Sequence, residues 1–178
     1  RVRSSAASDV YKRQVYDLTQ LLEQPDPLFL MLENLQDPGN LGTMIRTGEG
    51  AGITGVIMNN QTVDIFNPKT IRATMGSIFR VPFVYVPDLA PVLEQMHAKG
   101  IHTYAAHLKG QEYYDSFSFR EPTAFLIGNE GNGLSKEISD QAGQYLKIPM
   151  EGRVESLNAS IAAALLMYEA HRQRSARL

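Results

Sequence analysis

Short apolar runs near residues 28–32, 55–58, 81–86, 101–106, 123–127 and 145–149 alternate along this chain with segments whose apolar side chains recur at helical spacing. Strands separated by helices pair in parallel, because the helix carries the chain back over one face of the sheet before the next strand begins. The first run, PLFLML at residues 27–32, is apolar without alternation, as a strand covered on both faces must be. The expected fold class is therefore α/β, with a mostly parallel six-stranded sheet and helices on both faces. Ligands bind such sheets outside the carboxyl ends of the strands. Polar, glycine-bearing stretches lie at strand ends at residues 33–50 and 126–135, and a third stretch, 146–168, joins a strand, a polar loop and a helix; together they point to one composite site.

Local signals fill in the connections. Asn40 reads as the N-cap of a helix over 41–50, Pro68 as the first residue of a helix over 68–79, and Gly100 as the closing residue of a helix over 89–99. Asn59 and Asn60 read as a turn, and Ser135 opens a brief helix that ends at residue 141. Pro149 cannot donate to a sheet ladder, so the last strand ends there and leaves backbone groups free beside the loop. Ser156 and Asn158 sit at the start of a long alanine-rich helix, with Leu157, Ile161, Leu165 and Tyr168 as its apolar row. Taken singly, Ser156 or Asn158 is only a cap, and Gly128, Gly131 and Gly133 are only turn glycines.

Composition removes several functions. A chain of 178 residues, 43% hydrophobic, makes one core of ordinary size. Without cysteine there is neither a disulfide nor a thiolate metal site, which fits a reducing cytoplasm. His97, His102 and His107 are spaced by five, which puts no pair on one helix face, and no metal is expected. No run is long and apolar enough to cross a membrane. GNEGNG at 128–133 is not the GxGxxG dinucleotide fingerprint, and the Walker lysine-serine pair is missing. A net charge of −2 argues against nucleic acid held by bulk electrostatics. A basic rim of Arg46, Lys69, Arg72, Arg80, Lys109, Arg120 and Arg153 requires the fold to gather them. Residues 1–14 are polar and aperiodic and read as a tail or sequence artefact, and 15–26 as a linker or short helix. The core domain is expected over 27–178, with an N-terminal RNA-binding domain absent from this chain.

NLQDPGNLGTMIRT (34–47), FLIGNEGNGLS (125–135) and IPMEGRVESLNASIAAALLMYE (148–169) resemble, in order, the three motifs of the SpoU (TrmH-like) RNA ribose methyltransferases of the SPOUT class. NPKTIRATMGSIFRVP (67–82) resembles the intervening segment, so the likeness runs from about residue 27 to about 172. The resemblance implies an α/β fold with a deep C-terminal trefoil knot, a homodimer, S-adenosyl-L-methionine as methyl donor, and an RNA ribose 2′-hydroxyl as acceptor, in ribosomal RNA ahead of tRNA. The knot is against the general rule for chain connections and comes only from the resemblance.

The same resemblance carries roles onto matching positions. Asn40 and Arg46 match the first motif, Glu130 the second, and Ser156 and Asn158 the third. Cofactor contact is implied at Leu126, Gly128, Asn129, Gly131, Ile148, Met150, Ser156 and Leu157, so a side chain added at Gly128 is expected to crowd the cofactor. Arg46, Arg72, Arg80 and Arg153 are expected on the RNA side. A guanidinium is not deprotonated in proteins, so Arg46 is expected to stabilise the developing oxyanion and anchor a phosphate, the proton passing to phosphate or water. Outside the motif Arg46 would simply pair with Glu49, one turn on. Two other classes compete: a non-catalytic RNA-binding relative used in ribosome assembly, which would be expected to lose Arg46 or Asn158, and a small-molecule-binding α/β domain without affinity for S-adenosylmethionine.

Overall fold

The structure, a computed structural model, describes residues 16–175; the expectation for residues 1–14 lies outside them. It begins with a single helical turn, α1 (Leu18–Leu22), capped by the Asp17 carboxylate, whose Leu21 and Leu22 are buried. Of the linker or short helix expected at 15–26, the described part contains a short helix that packs on the core. There follow β1 (Leu28–Leu32), α2 (Pro38–Ala51), β2 (Gly55–Asn59), α3 (Pro68–Thr74), β3 (Phe83–Val86), α4 (Ala90–Ala98), β4 (His102–Ala106), β5 (Glu112–Tyr113), β6 (Thr123–Ile127), α5 (Lys136–Gln141), β7 (Gln144–Lys147) and α6 (Ala159–Ser175).

All described strand pairings are parallel, in the order β3-β2-β1-β6-β4-β7-β5. Among the described residues the sheet has seven strands, where six were expected. The extra one, β5, is two exposed residues whose register with Leu146 and Lys147 is its only claim to be a strand. β1, β2 and β6 are buried at every position, which explains why they are apolar except for Asn59 and Thr123 at strand ends. Alternate side chains of β1 enter two separate cores. Leu28, Leu30 and Leu32 pack with Met44, Ile45, Leu166 and Met167 from α2 and α6. Phe29 and Met31 pack with Leu93, Met96 and Ile138 from α4 and α5.

Several local expectations change in the folded chain. Asp37, not Asn40, caps α2: its carboxylate accepts the Asn40 N–H at 2.9 Å, and Pro38 occupies the first turn, where its missing N–H costs nothing. The helix expected over 68–79 breaks after Thr74, because Met75 (φ 50°) and Gly76 (φ 89°) turn left-handed before a 3-10 turn at Ser77–Phe79. The last strand stops at Lys147, two residues short of Pro149. In α6 the expected apolar row is the exposed one: Ile161, Leu165 and Tyr168 face outward, while Ala163, Leu166, Met167 and Ala170 enter the core.

α2 lies close to both α3 and α6 because glycines line it. A Cβ built at Gly42 would stand 2.7 Å from the Thr70 carbonyl oxygen, against the backbone of α3. Gly42→Ala should therefore destabilise the protein by about 1–3 kcal/mol, the usual cost of overpacking. Chemical denaturation measures this, and an unchanged midpoint would show that α3 can move away freely.

Candidate active site

The three polar stretches meet at the carboxyl ends of β1, β6 and β7. Glu130, in the loop after β6, accepts hydrogen bonds from the Gln36 N–H (3.0 Å), the Asp37 N–H (2.8 Å) and the Asn40 side-chain amide (3.1 Å). Asn40 Oδ1 in turn accepts from the Asn158 amide at 3.0 Å. Asn158 Oδ1 accepts from the backbone N–H and the hydroxyl of Ser160, opening α6. Three expected site residues thus form one chain, Glu130–Asn40–Asn158, across residues up to 118 apart in sequence. Partial burial pushes the Glu130 carboxyl up, but these donors together outweigh it and hold it below its ordinary 4.5. At the first turn of α2, the Asn40 N–H above all, with Lys69 Nζ at 3.2 Å, lowers Asp37.

Beside this chain lies a cavity of about 270 Å³, bounded by the loop after β6, the end of β7 and the first turn of α6. Gly128, Asn129, Gly131, Ile148, Met150, Ser156 and Leu157 line it, as does Glu130. Leu126 does not; its side chain is buried in the core on the α4 and α5 side. The lining also takes in His107, Leu108, Leu134 and Lys147, for which the sequence carried no functional signal. The loop 128–133 is pinched by reciprocal backbone hydrogen bonds between Asn129 and Gly133, at 3.0 and 2.8 Å. Residues 148–157 make no hydrogen bond to any other described residue, so their N–H and C=O groups are available beside the cavity.

Arg46 stands apart from this. It is exposed on α2, makes no hydrogen bond or ion pair among the described residues, and does not line the cavity. The pairing with Glu49 that helical spacing allows is not made, because Arg80 takes that carboxylate with two guanidinium nitrogens. Arg80, then the Ser77 hydroxyl, holds Glu49 down to about 2. Of the other expected RNA-side residues, Arg72 and Arg153 are exposed; Lys109, a candidate for the basic rim, lies in a separate, wider depression at the β5 edge of the sheet. Among the described residues there is no cluster of three or more His, Asp or Glu side chains able to hold a metal ion, and no helix long and apolar enough to cross a membrane.

The fold recurs in solved structures. The SpoU methyltransferase AviRb from Streptomyces viridochromogenes, in complex with the cofactor AdoMet, superposes with a TM-score of 0.84 at 34% identity, over 90% of this chain and 63% of that one. An AdoMet-bound rRNA methyltransferase from Sinorhizobium meliloti gives a TM-score of 0.83 at 36% identity, over 89% of this chain and 61% of the other. In sequence, the Bacillus subtilis 23S rRNA (guanosine(2553)-2′-O)-methyltransferase RlmP is 38% identical over 139 residues, 78% of this chain. The match spans 56% of the length of RlmP. Residues 27–168 match the model of the SpoU rRNA Methylase family, and with the fold, the three joined motifs and these relatives, the chain belongs to that family.

Proposed function

We propose that this chain transfers a methyl group from S-adenosyl-L-methionine to a ribose 2′-hydroxyl of RNA, ribosomal RNA being the class named for RlmP. The observation that carries the reading is the cavity between the glycine loop 128–133 and the unpaired backbone of 148–157, at the strand ends where an α/β sheet takes its ligands. Apolar walls from Ile127, Leu134, Leu146, Ile148 and Leu157 suit an adenine ring, and the free main-chain groups suit its nitrogens and the ribose hydroxyls. When bound, the cofactor supplies an electrophilic sulfonium methyl. The chain's own residues then have to orient the RNA hydroxyl, stabilise the alkoxide that develops on it and exclude water. Arg46, a fixed cation without a partner among the described residues, is the group for that oxygen and its neighbouring phosphate. The chain Glu130–Asn40–Asn158 holds the α2 and α6 N-termini against the cofactor loop. Ser156, in the cavity lining, contacts the cofactor side.

Arg46 lies outside the cavity of its own chain, which is the reason to include a homodimer. Ile161, Leu165 and Tyr168 form an exposed apolar face on α6, and the Tyr168 hydroxyl borders Gly50, one turn beyond Arg46 on α2. Burying this face against a second copy places Arg46 at the interface, where it serves the partner's cavity. A C-terminal knot is part of the same proposal. β7 inserts between β4 and β5, so the connection from β4 to β5 has to cross it, and a Cβ at Gly110 in that connection would lie 2.8 Å from the Leu146 carbonyl carbon.

Titration calorimetry with S-adenosylmethionine, followed by transfer of labelled methyl to RNA and nuclease digestion, tests the function. The expected product is a 2′-O-methylated nucleoside. Absence of cofactor binding, or label recovered on a base, would refute it.

A further inference from the structure

We propose that Asn59 is a positioning residue for the cofactor loop 128–133, acting through the backbone of Asn34; the proposal rests on the cofactor reading of the cavity. Asn59 ends β2, is only 7% exposed, and does not touch the cavity. Its Oδ1 accepts the Asn34 N–H at 2.9 Å and the Thr62 hydroxyl at 2.9 Å, while its Nδ2 donates to Asn34 Oδ1 at 2.8 Å. A backbone N–H can only donate, so Asn59 Oδ1 must face it, and that fixes Nδ2 toward the Asn34 side chain. The two asparagines are thereby clasped, and Asn34 is held at φ 55°, a left-handed backbone that glycine takes freely, asparagine more readily than most residues, and alanine rarely.

That conformation decides where the Asn34 carbonyl points. It accepts the Asn129 side-chain amide at 2.9 Å, together with the Gln36 amide at 3.0 Å. Asn129 Oδ1 is committed to the N–H groups of Gly131 (2.9 Å) and Asn132 (3.0 Å), so its only donors face Asn34. A relay therefore runs from Asn59 through Asn34 and Asn129 to Gly131 and Asn132, both of which line the cavity. Two other ties keep the loop in place without it: the Glu33 carboxylate accepts the Ser135 N–H at 2.7 Å, and Glu130 holds Gln36 and Asp37. Loss of Asn59 should loosen the loop rather than unfold the chain.

Asn59→Asp tests the relay, since aspartate still accepts from Asn34 N–H and Thr62 but sets a carboxylate against Asn34 Oδ1. Hydrogen exchange in the cofactor-free chain should speed up about tenfold at Gly131 and Asn132, and S-adenosylhomocysteine should bind about tenfold more weakly, as loss of about one hydrogen bond implies. Adding Asn34→Gly to Asn59→Asp should recover most of both effects, because glycine takes the left-handed backbone unaided. A cap serving β2 alone would give no such rescue. If Asn59→Asp does not fold, Asn34→Ala against Asn34→Gly decides: alanine should show the loose loop and glycine should not. Unchanged exchange at residues 131–132 in a folded Asn59→Asp protein, or equal behaviour of the alanine and glycine variants, would overturn the proposal. Failure of the unsubstituted chain to bind S-adenosylhomocysteine would instead refute the cofactor reading, while the exchange experiment still tests the relay.

Discussion

Arg46→Lys is expected to slow methyl transfer by about a hundredfold or more, the usual effect of losing a group that stabilises a developing oxyanion. Cofactor affinity should stay within about twofold, because Arg46 does not line the cavity of its own chain and in the proposed dimer meets the ribose oxygen and phosphate rather than the cofactor. Lysine keeps the charge, but its ammonium is a single point on a flexible stem, whereas the guanidinium fork can engage the ribose oxygen and a phosphate together. A structural explanation is weak here: Arg46 is exposed and unpaired among the described residues, and Arg80 already satisfies Glu49. Single-turnover methylation and calorimetry separate the cases. Methylation at near the normal rate removes any special role for Arg46. A parallel fall in cofactor affinity would mean that it binds cofactor instead.

Gly128→Ala should lose cofactor binding by more than about tenfold and lower stability by about 1–3 kcal/mol. The expected crowding of the cofactor is not the first obstacle. A Cβ at Gly128 would overlap the backbone of Gly133 and Leu134, across the pinch of the loop, before reaching anything in the cavity. Backbone cannot swing aside as a flexible side chain does, so relief requires opening the Asn129–Gly133 pair. Gly131→Ala is the stability control, since its Cβ would meet only Asn129 Oδ1, at 3.5 Å. Thermal melts of both variants with cofactor titrations decide the matter. A Gly128→Ala protein with the stability and affinity of the parent would show that the loop has room to rearrange.

Most of the architecture was legible in the sequence because it depends on period and length. β1 is an unbroken apolar run, and β2 and β6 are apolar but for Asn59 and Thr123 at their ends, since two layers of helices cover them and burial on both faces leaves little room for polar side chains. The three motifs followed strands, and the structure joins them through Glu130, Asn40 and Asn158. β5 left no trace, because two exposed residues carry no hydrophobic pattern and owe their conformation to the neighbouring β7.

The errors share a cause. Helical spacing put Leu157, Ile161, Leu165 and Tyr168 in one row, but α6 offers several small or apolar faces, and only the shape of α2 and the sheet selects Ala163, Leu166 and Met167 for the core. The same spacing offered Glu49 to Arg46, yet Arg80, 31 residues away, arrives with both nitrogens. Asn40 was a good cap by type, but Asp37 caps, which frees the Asn40 amide for Glu130 and its carbonyl for Asn158. Asn59 and Asn60 do open a turn, closed by the Thr62 N–H on the Asn59 carbonyl at 3.0 Å, but spacing gave no sign that the Asn59 side chain would be buried as a clasp on Asn34. Period and burial are properties of a segment and its own residues, so the chain by itself determined the strands, the helices and which loops end at one edge. Which donor meets which acceptor depends on groups brought from 25 to 118 residues away, and packing alone decides that.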